Sequence, residues 1–141
     1  MKSMGLLLII FVSAFQGFGQ TIASSSVPKI VKDKFEKSYA NVTDVEWRKQ
    51  GKNYQASFKS NNAEWTSSYD GKGNPVNTGK TIPISALPQT VRDYFSWNLP
   101  GKKMLSAQFM NDSKGEQSFE VKSDDGTYVF DKQGHFIRKM K

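Results

Sequence analysis

The sequence predicts an α+β protein: a tandem duplication of a unit of one helix and four antiparallel strands, with the two helices packed on one face of the antiparallel sheet. Three observations predict it. Val27-Pro28-Lys29-Ile30-Val31-Lys32-Asp33-Lys34-Phe35 returns about sixty residues later as Leu87-Pro88-Gln89-Thr90-Val91-Arg92-Asp93-Tyr94-Phe95. Downstream, Tyr69-Asp70-Gly71-Lys72-Gly73 returns as Phe130-Asp131-Lys132-Gln133-Gly134, so both ends of the unit recur. In each half, apolar residues at three- and four-residue spacing give way to alternation of period two. No strand-helix-strand pattern is present to build a parallel sheet.

Residues 1–19 read as a secretory signal peptide: Lys2 is the positive start, Leu6 to Phe15 the apolar run, and Gly17-Phe18-Gly19 the small-x-small cleavage site. That run is too short to span a bilayer, which takes about 20 residues, so no membrane insertion is expected. Residues 20–26 read as a polar leader, with Ser25 or Ser26 as N-cap. The first repeat, 27–78, opens on Pro28 in a first helical turn and carries Val27, Ile30, Val31, Phe35 and Tyr39 on one helical face. Strands follow through Val45 and Trp47, through Tyr54, Ala56 and Phe58, and through Trp65, Ser67 and Tyr69. A short last strand near Val76 is demoted to an edge by Pro75. Residues 79–84 read as a connector. The second repeat, 85–141, has Ser85 as N-cap, an apolar stripe of Leu87, Val91, Tyr94, Phe95 and Leu99, a stop at Pro100-Gly101, and four more strands.

The chain is basic, with a net charge of +7, but its lysines and arginines are scattered along the chain, the pattern of a solvated surface rather than a nucleic-acid footprint. It has no cysteine, which excludes disulfides, thiol nucleophiles and a lipid anchor through cysteine. Its single histidine, His135, has no Gly-x-Ser-x-Gly partner and reads as a surface residue. Asp124-Asp125 precede Gly126 in a hairpin turn and read as turn formers. Asp70-Gly71-Lys72-Gly73-Asn74 has a lysine where a calcium loop needs an oxygen ligand. No catalytic residue, metal site or cofactor is expected, and the protein is read as a non-enzyme.

The aromatic residues Trp47, Tyr54, Phe58, Trp65 and Tyr69 share one face of the first sheet half, joined in the second by Phe119, Tyr128 or Val129, and Phe130. They are expected to form the core under the helices. The opposite face is then polar. Gln55, Ser57, Thr66 and Ser68 in the first half and Glu120 and Lys122 in the second are the candidate binding residues, with Trp97 near the end of the second helix as an exposed contact.

The [Val/Leu]-Pro helix with a late Phe, the strand Val45-Glu46-Trp47, the strand Tyr54 to Phe58 and the [Tyr/Phe]-Asp-x-x-Gly turn resemble the PepSY-like, beta-lactamase-inhibitor-like family of exported Bacteroidetes proteins. The resemblance covers about residues 27–139. The second half has Ala107-Gln108-Phe109 and Phe119-Glu120-Val121 where the first has its Trp and Tyr-x-Ala-x-Phe strands. It implies a periplasmic or secreted module that binds, and inhibits or chaperones, an exported or envelope protein such as a peptidase, as a monomer or weak dimer. The other expectation, from charge and Trp97, is a binder of a small ligand or anionic glycan.

Overall fold

The computed structural model describes residues 20–141; the expected signal peptide lies outside the described residues. The order is β1 (Gln20–Ile22), α1 (Lys29–Ser38), β2 (Thr43–Gln50), β3 (Asn53–Ser60), β4 (Ala63–Tyr69), β5 (Pro75–Ile82), α2 (Gln89–Asn98), β6 (Ser106–Asp112), β7 (Gln117–Ser123), β8 (Gly126–Asp131) and β9 (Phe136–Met140). All nine strands form one antiparallel sheet in chain order, each beside its sequence neighbours. Short turns of two to five residues join six of the adjacent pairs, while β1–β2 and β5–β6 are joined through α1 and α2.

Three expectations are corrected by the strands. The polar leader contains β1, whose Ile22 pairs with Trp47, followed by a 3-10 turn at Ser24–Ser26. The connector expected over 79–84 is instead the second half of β5 and the start of a matching 3-10 turn at Ile84–Ala86. Thus β5 is the central strand, not an edge. Pro75 is its first residue, where a missing N–H breaks no interior ladder bond. None of Ser25, Ser26 and Ser85 caps an α-helix; Pro28 and Pro88 hold the N-cap positions. The residue before a proline is pushed to extended backbone, and Pro28 and Pro88 are themselves extended, so both helices begin one residue after them.

The helix-facing side of the sheet carries the expected core. In the first half Val27, Val31, Phe35, Trp47, Ala56, Phe58 and Tyr69 are buried together. In the second, Leu87, Val91, Phe95, Ala107, Val121, Tyr128 and Phe130 are. Tyr128, not Val129, faces the helix. Val45 is 40% exposed rather than inward, because Asp44 has φ 55 and a register shift separates Thr43 from Glu46.

Register explains how the second half lacks the Trp strand yet closes its core. The cross-strand row Ile22, Trp47, Ala56, Ser67 lies sixty-odd residues before the row Ile82, Ala107, Val121, Tyr128. The large ring has moved from the second place to the fourth. Trp47 meets Phe35 edge-on at 5.3 Å and 73°, and Tyr128 meets Phe95 edge-on at 5.2 Å and 67°. Each late helical Phe therefore has one edge-on ring from the sheet, which conserves volume and contact.

Three turns share one construction. Asp70 Oδ1 accepts from the backbone N–H of Lys72 and Asn74, Asp112 Oδ1 from Lys114 and Glu116, and Asp131 Oδ1 from Gln133 and His135, all at 2.8–3.0 Å. A glycine with positive φ follows three residues after each aspartate, at Gly73, Gly115 and Gly134. The Asp-x-x-Gly motif is thus a hairpin device. These bonds hold the charged carboxylate: the Asn74 side-chain amide keeps the Asp70 carboxyl below its usual range, and the His135 backbone N–H does the same for Asp131.

An acid prediction follows. A carboxyl whose folded pKa lies below its unfolded one stabilises the fold above the unfolded value, and that contribution is lost as pH falls below about 4 through the folded value. The urea midpoint is expected to fall between pH 6 and pH 3. The double variant Asp70→Asn, Asp131→Asn should lose less, since the amide oxygen still accepts the turn bonds but no longer titrates. Equal losses by circular dichroism would refute this.

Candidate functional site

Period two puts Glu46, Arg48, Gln55, Ser57, Thr66, Ser68, Asn77, Gly79, Gln108, Met110, Ser118, Glu120, Val129 and Arg138 on the sheet face away from the helices. Register joins them in cross-strand rows: Arg48, Gln55, Ser68, Asn77 and Asp112 in one, Ser57, Thr66, Gly79, Met110, Ser118 and Asp131 in the next, and Gln108, Glu120, Val129 and Arg138 in the third.

This face is not uniformly open. Gln55, Thr66 and Ser68 are 9%, 7% and 3% exposed, and Gln108 is 4% exposed. They bury one another: Gln55 Nε2 donates to Ser68 Oγ at 3.3 Å, and Gln50 Nε2 donates to Gln55 Oε1 at 3.5 Å. At the centre, side chains close over Gly79. A Cβ there would lie 2.7 Å from Met110 Sδ and 2.7 Å from Thr66 Oγ1. Gln55, Thr66 and Ser68 are therefore packing residues rather than a free binding surface, while Ser57 is half-buried.

The open part lies over the last five strands. A groove of about 480 Å³ is lined by Asn77 of β5, Met110 and Asp112 of β6, Ser118 and Glu120 of β7, Val129 and Asp131 of β8, and Ile137 and Arg138 of β9, with the turns 115–117 and 132–133 at its rim. Of the expected binding residues, Glu120 alone lines it. Lys122 lies on the same face one row away, opposite Ser106 and Thr127. Trp97 is 79% exposed but stands on α2, in the other layer, and is not part of this face.

Alternation along β5 to β9 would have found the other lining residues on the strands. The exception is Ile137, an extra residue opposite the Val129 to Phe130 step, where Val129 pairs with Arg138 and Phe130 with Phe136.

Charge in the groove is uneven. Asp112, Glu116, Glu120 and Asp131 stand against Lys132 and Arg138, so a basic chain has an acid-rich recess. Burial pushes the Glu120 carboxyl above its usual range, and the Arg138 guanidinium pulls it back. The sign is opposite to that of the turn aspartates. A raised carboxyl favours the fold at low pH, and the advantage is lost as pH rises through the folded value. Glu120→Gln is accordingly expected to raise the denaturation midpoint at pH 7 and to leave it little changed at pH 4. A lower midpoint at pH 7 would show that Glu120 is held by net attraction.

The other chemistry-bearing residues are at turns. His135 Nδ1 lies 3.5 Å from Asp131 Oδ2 with its ring exposed. Asp125 receives the Tyr128 hydroxyl at 3.0 Å and Lys139 Nζ at 3.0 Å, so it ties the end of β9 to a core ring. No group of three or more His, Cys, Asp or Glu among the described residues could hold a metal ion. No helix among them is long and apolar enough to cross a membrane.

Solved structures share this fold. A DUF2874 family protein from Bacteroides uniformis superposes with a TM-score of 0.69 at 20% identity, covering 80% of this chain and 88% of that one. A structure from Bacteroides eggerthii, described as "putative periplasmic proteins", gives 0.71 at 12% identity over 81% and 88%. A BLIP-like protein from Bacteroides fragilis gives 0.63 at 18% identity over 80% and 85%. No curated protein matches the chain. The family model matches twice, over residues 19–76 and 52–138, and with the helix-plus-meander order and the Asp-x-x-Gly turns it leads to one conclusion: the chain belongs to the family described as "Putative beta-lactamase-inhibitor-like, PepSY-like".

Proposed function

We propose that this chain is an exported, non-enzymatic binding module that holds a protein partner on the open part of its polar sheet face. The observation that carries the reading is the groove over β5 to β9, where Asn77, Asp112, Glu120 and Arg138 line one recess. A recess that keeps a carboxylate at a cost in desolvation is better suited to recognition than to packing. The BLIP-like name of one structural neighbour and the periplasmic name of another support a binding role outside the cytoplasm. Duplication of the helix-plus-four-strand unit accounts for eight of the nine strands, and β1 adds the ninth.

The four carboxylates around the groove oppose an anionic glycan there, which favours the protein-binding reading over the glycan one. The test is capture of partners from the native envelope and supernatant by residues 20–141, followed by titration of any candidate. Binding to one protein, lost on Glu120→Lys and kept on Lys122→Ala, would support the reading. Hydrolysis of a peptide, ester or glycoside by the purified protein, or binding unaffected by Glu120→Lys, would overturn it.

A further inference from the structure

We infer that the outer edge of β9, the strand that closes one side of the groove, is a strand-addition site for an extended acidic segment of another protein. The molecule contains its own template for this pairing. In β5, Val76 is the extra residue of a bulge, with Ser68 opposite Asn77 and Tyr69 opposite Pro75. In β9, Ile137 holds that place, with Val129 opposite Arg138 and Phe130 opposite Phe136.

Beyond its bulge β5 carries β6 on its other side. Asp112 lies opposite Asn77, Asn111 opposite Thr78 and Met110 opposite Gly79, and the Ser113 N–H donates to the Val76 carbonyl at 3.0 Å. The same side of β9 carries no strand among the described residues, since β9 is the last in the sheet order. Its outer N–H and C=O groups are set in the geometry that receives β6 inside the fold.

The side chains around this edge select the occupant. Phe136 stacks on Tyr94 of α2 at 4.8 Å and 13°, yet stays 40% exposed, and Ile137 is 49% exposed. Trp97, 79% exposed, follows Tyr94 by one helical turn on the same flank. Phe136 on the helix side and Ile137 on the groove side thus give the edge an exposed apolar side chain on each face of the sheet.

The charges beside it are basic. Lys139 is held by Asp125 at 3.0 Å, while Arg138 and Lys141 are exposed. A second copy paired edge to edge would set Arg138, Lys139 and Lys141 against the same residues, and like charges directly opposite are destabilising. An acidic strand has the reverse sign. It places a carboxylate opposite Arg138, where β6 places Asp112 opposite Asn77, and an apolar side chain against Phe136 or Ile137.

The probe is a short synthetic peptide of alternating valine and glutamate, with a valine-lysine counterpart as control. The valine-glutamate peptide is expected to slow amide exchange at Lys139 and Lys141 and to shift the fluorescence of Trp97, whose change vanishes in Trp97→Phe while binding persists. Arg138→Glu should weaken binding by roughly tenfold, the size of one charge-assisted contact. Should that variant fold poorly by circular dichroism, the exposed Lys141→Glu reads the same charge dependence. No added protection in β9 at millimolar peptide would overturn the inference, as would equal binding of the lysine peptide. So would protection of β9 that rises with protein concentration alone, because that would mark a pairing of copies.

Discussion

Gly134→Ala is expected to destabilise the protein by roughly 2–4 kcal/mol, combining the cost of a side chain in left-handed backbone with overpacking. Gly134 has φ +88, and a Cβ there would lie 2.0 Å from Thr90 Oγ1 and 3.1 Å from the Pro88 ring. Thr90 cannot turn aside freely, because its hydroxyl donates to the Gln133 carbonyl at 2.8 Å and so pins the β8–β9 turn to the start of α2. Gly73 is the internal control. It has φ +84, but its Cβ would meet the Ile30 Cγ1 and Lys34 Cγ atoms at 3.2 Å, in side chains that can shift. Gly73→Ala should therefore cost about the left-handed penalty alone, ~1–2 kcal/mol. Urea denaturation of the two variants decides it. Equal losses would mean that the Thr90 contact yields without cost.

Phe130→Ala is expected to cost about 3–5 kcal/mol, the usual range for emptying a buried aromatic site. Phe130 is 0% exposed and is surrounded by rings: Tyr94 at 5.4 Å, Phe136 at 5.9 Å and Phe95 at 6.1 Å between centroids. Three aromatic neighbours fixed to a helix and an adjacent strand leave little room for collapse, so most of the cavity should persist. Phe136→Ala is the comparison, since that ring is 40% exposed and its removal opens a surface notch that water fills. Its loss should be less than half that of Phe130→Ala. Matching losses would show that the Phe130 site closes on itself.

Helices, hairpins and the aromatic face were legible in the sequence because each depends on near neighbours. Three- and four-residue spacing set the stripes Val31 to Phe35 and Val91 to Phe95, both buried. Each Asp-x-x-Gly turn is closed by its own aspartate, so the motif carried the turn wherever it occurred. The course of β5 is hidden from local signals for the same reason. Pro75 and the residues around Gly79 look like breakers locally, but β5 is held on both sides, by β4 and by β6, which comes from beyond α2.

The site divides in the same way. Alternation of period two was sufficient to put Gln55, Ser57, Thr66, Ser68, Glu120 and Lys122 on the sheet face away from the helices. Which of them are open was decided only by the tertiary structure. Gln55, Thr66 and Ser68 are covered by side chains from neighbouring strands, and the groove at Glu120 exists because β5 and β9, about sixty residues apart in the chain, bring Asn77 and Arg138 to the same recess. The sequence by itself determined the elements, their order and the two faces of the sheet, since spacing and turn chemistry act over a few residues. Burial of a polar side chain and the shape of a groove depend on groups far apart in the chain, and those only packing brings together.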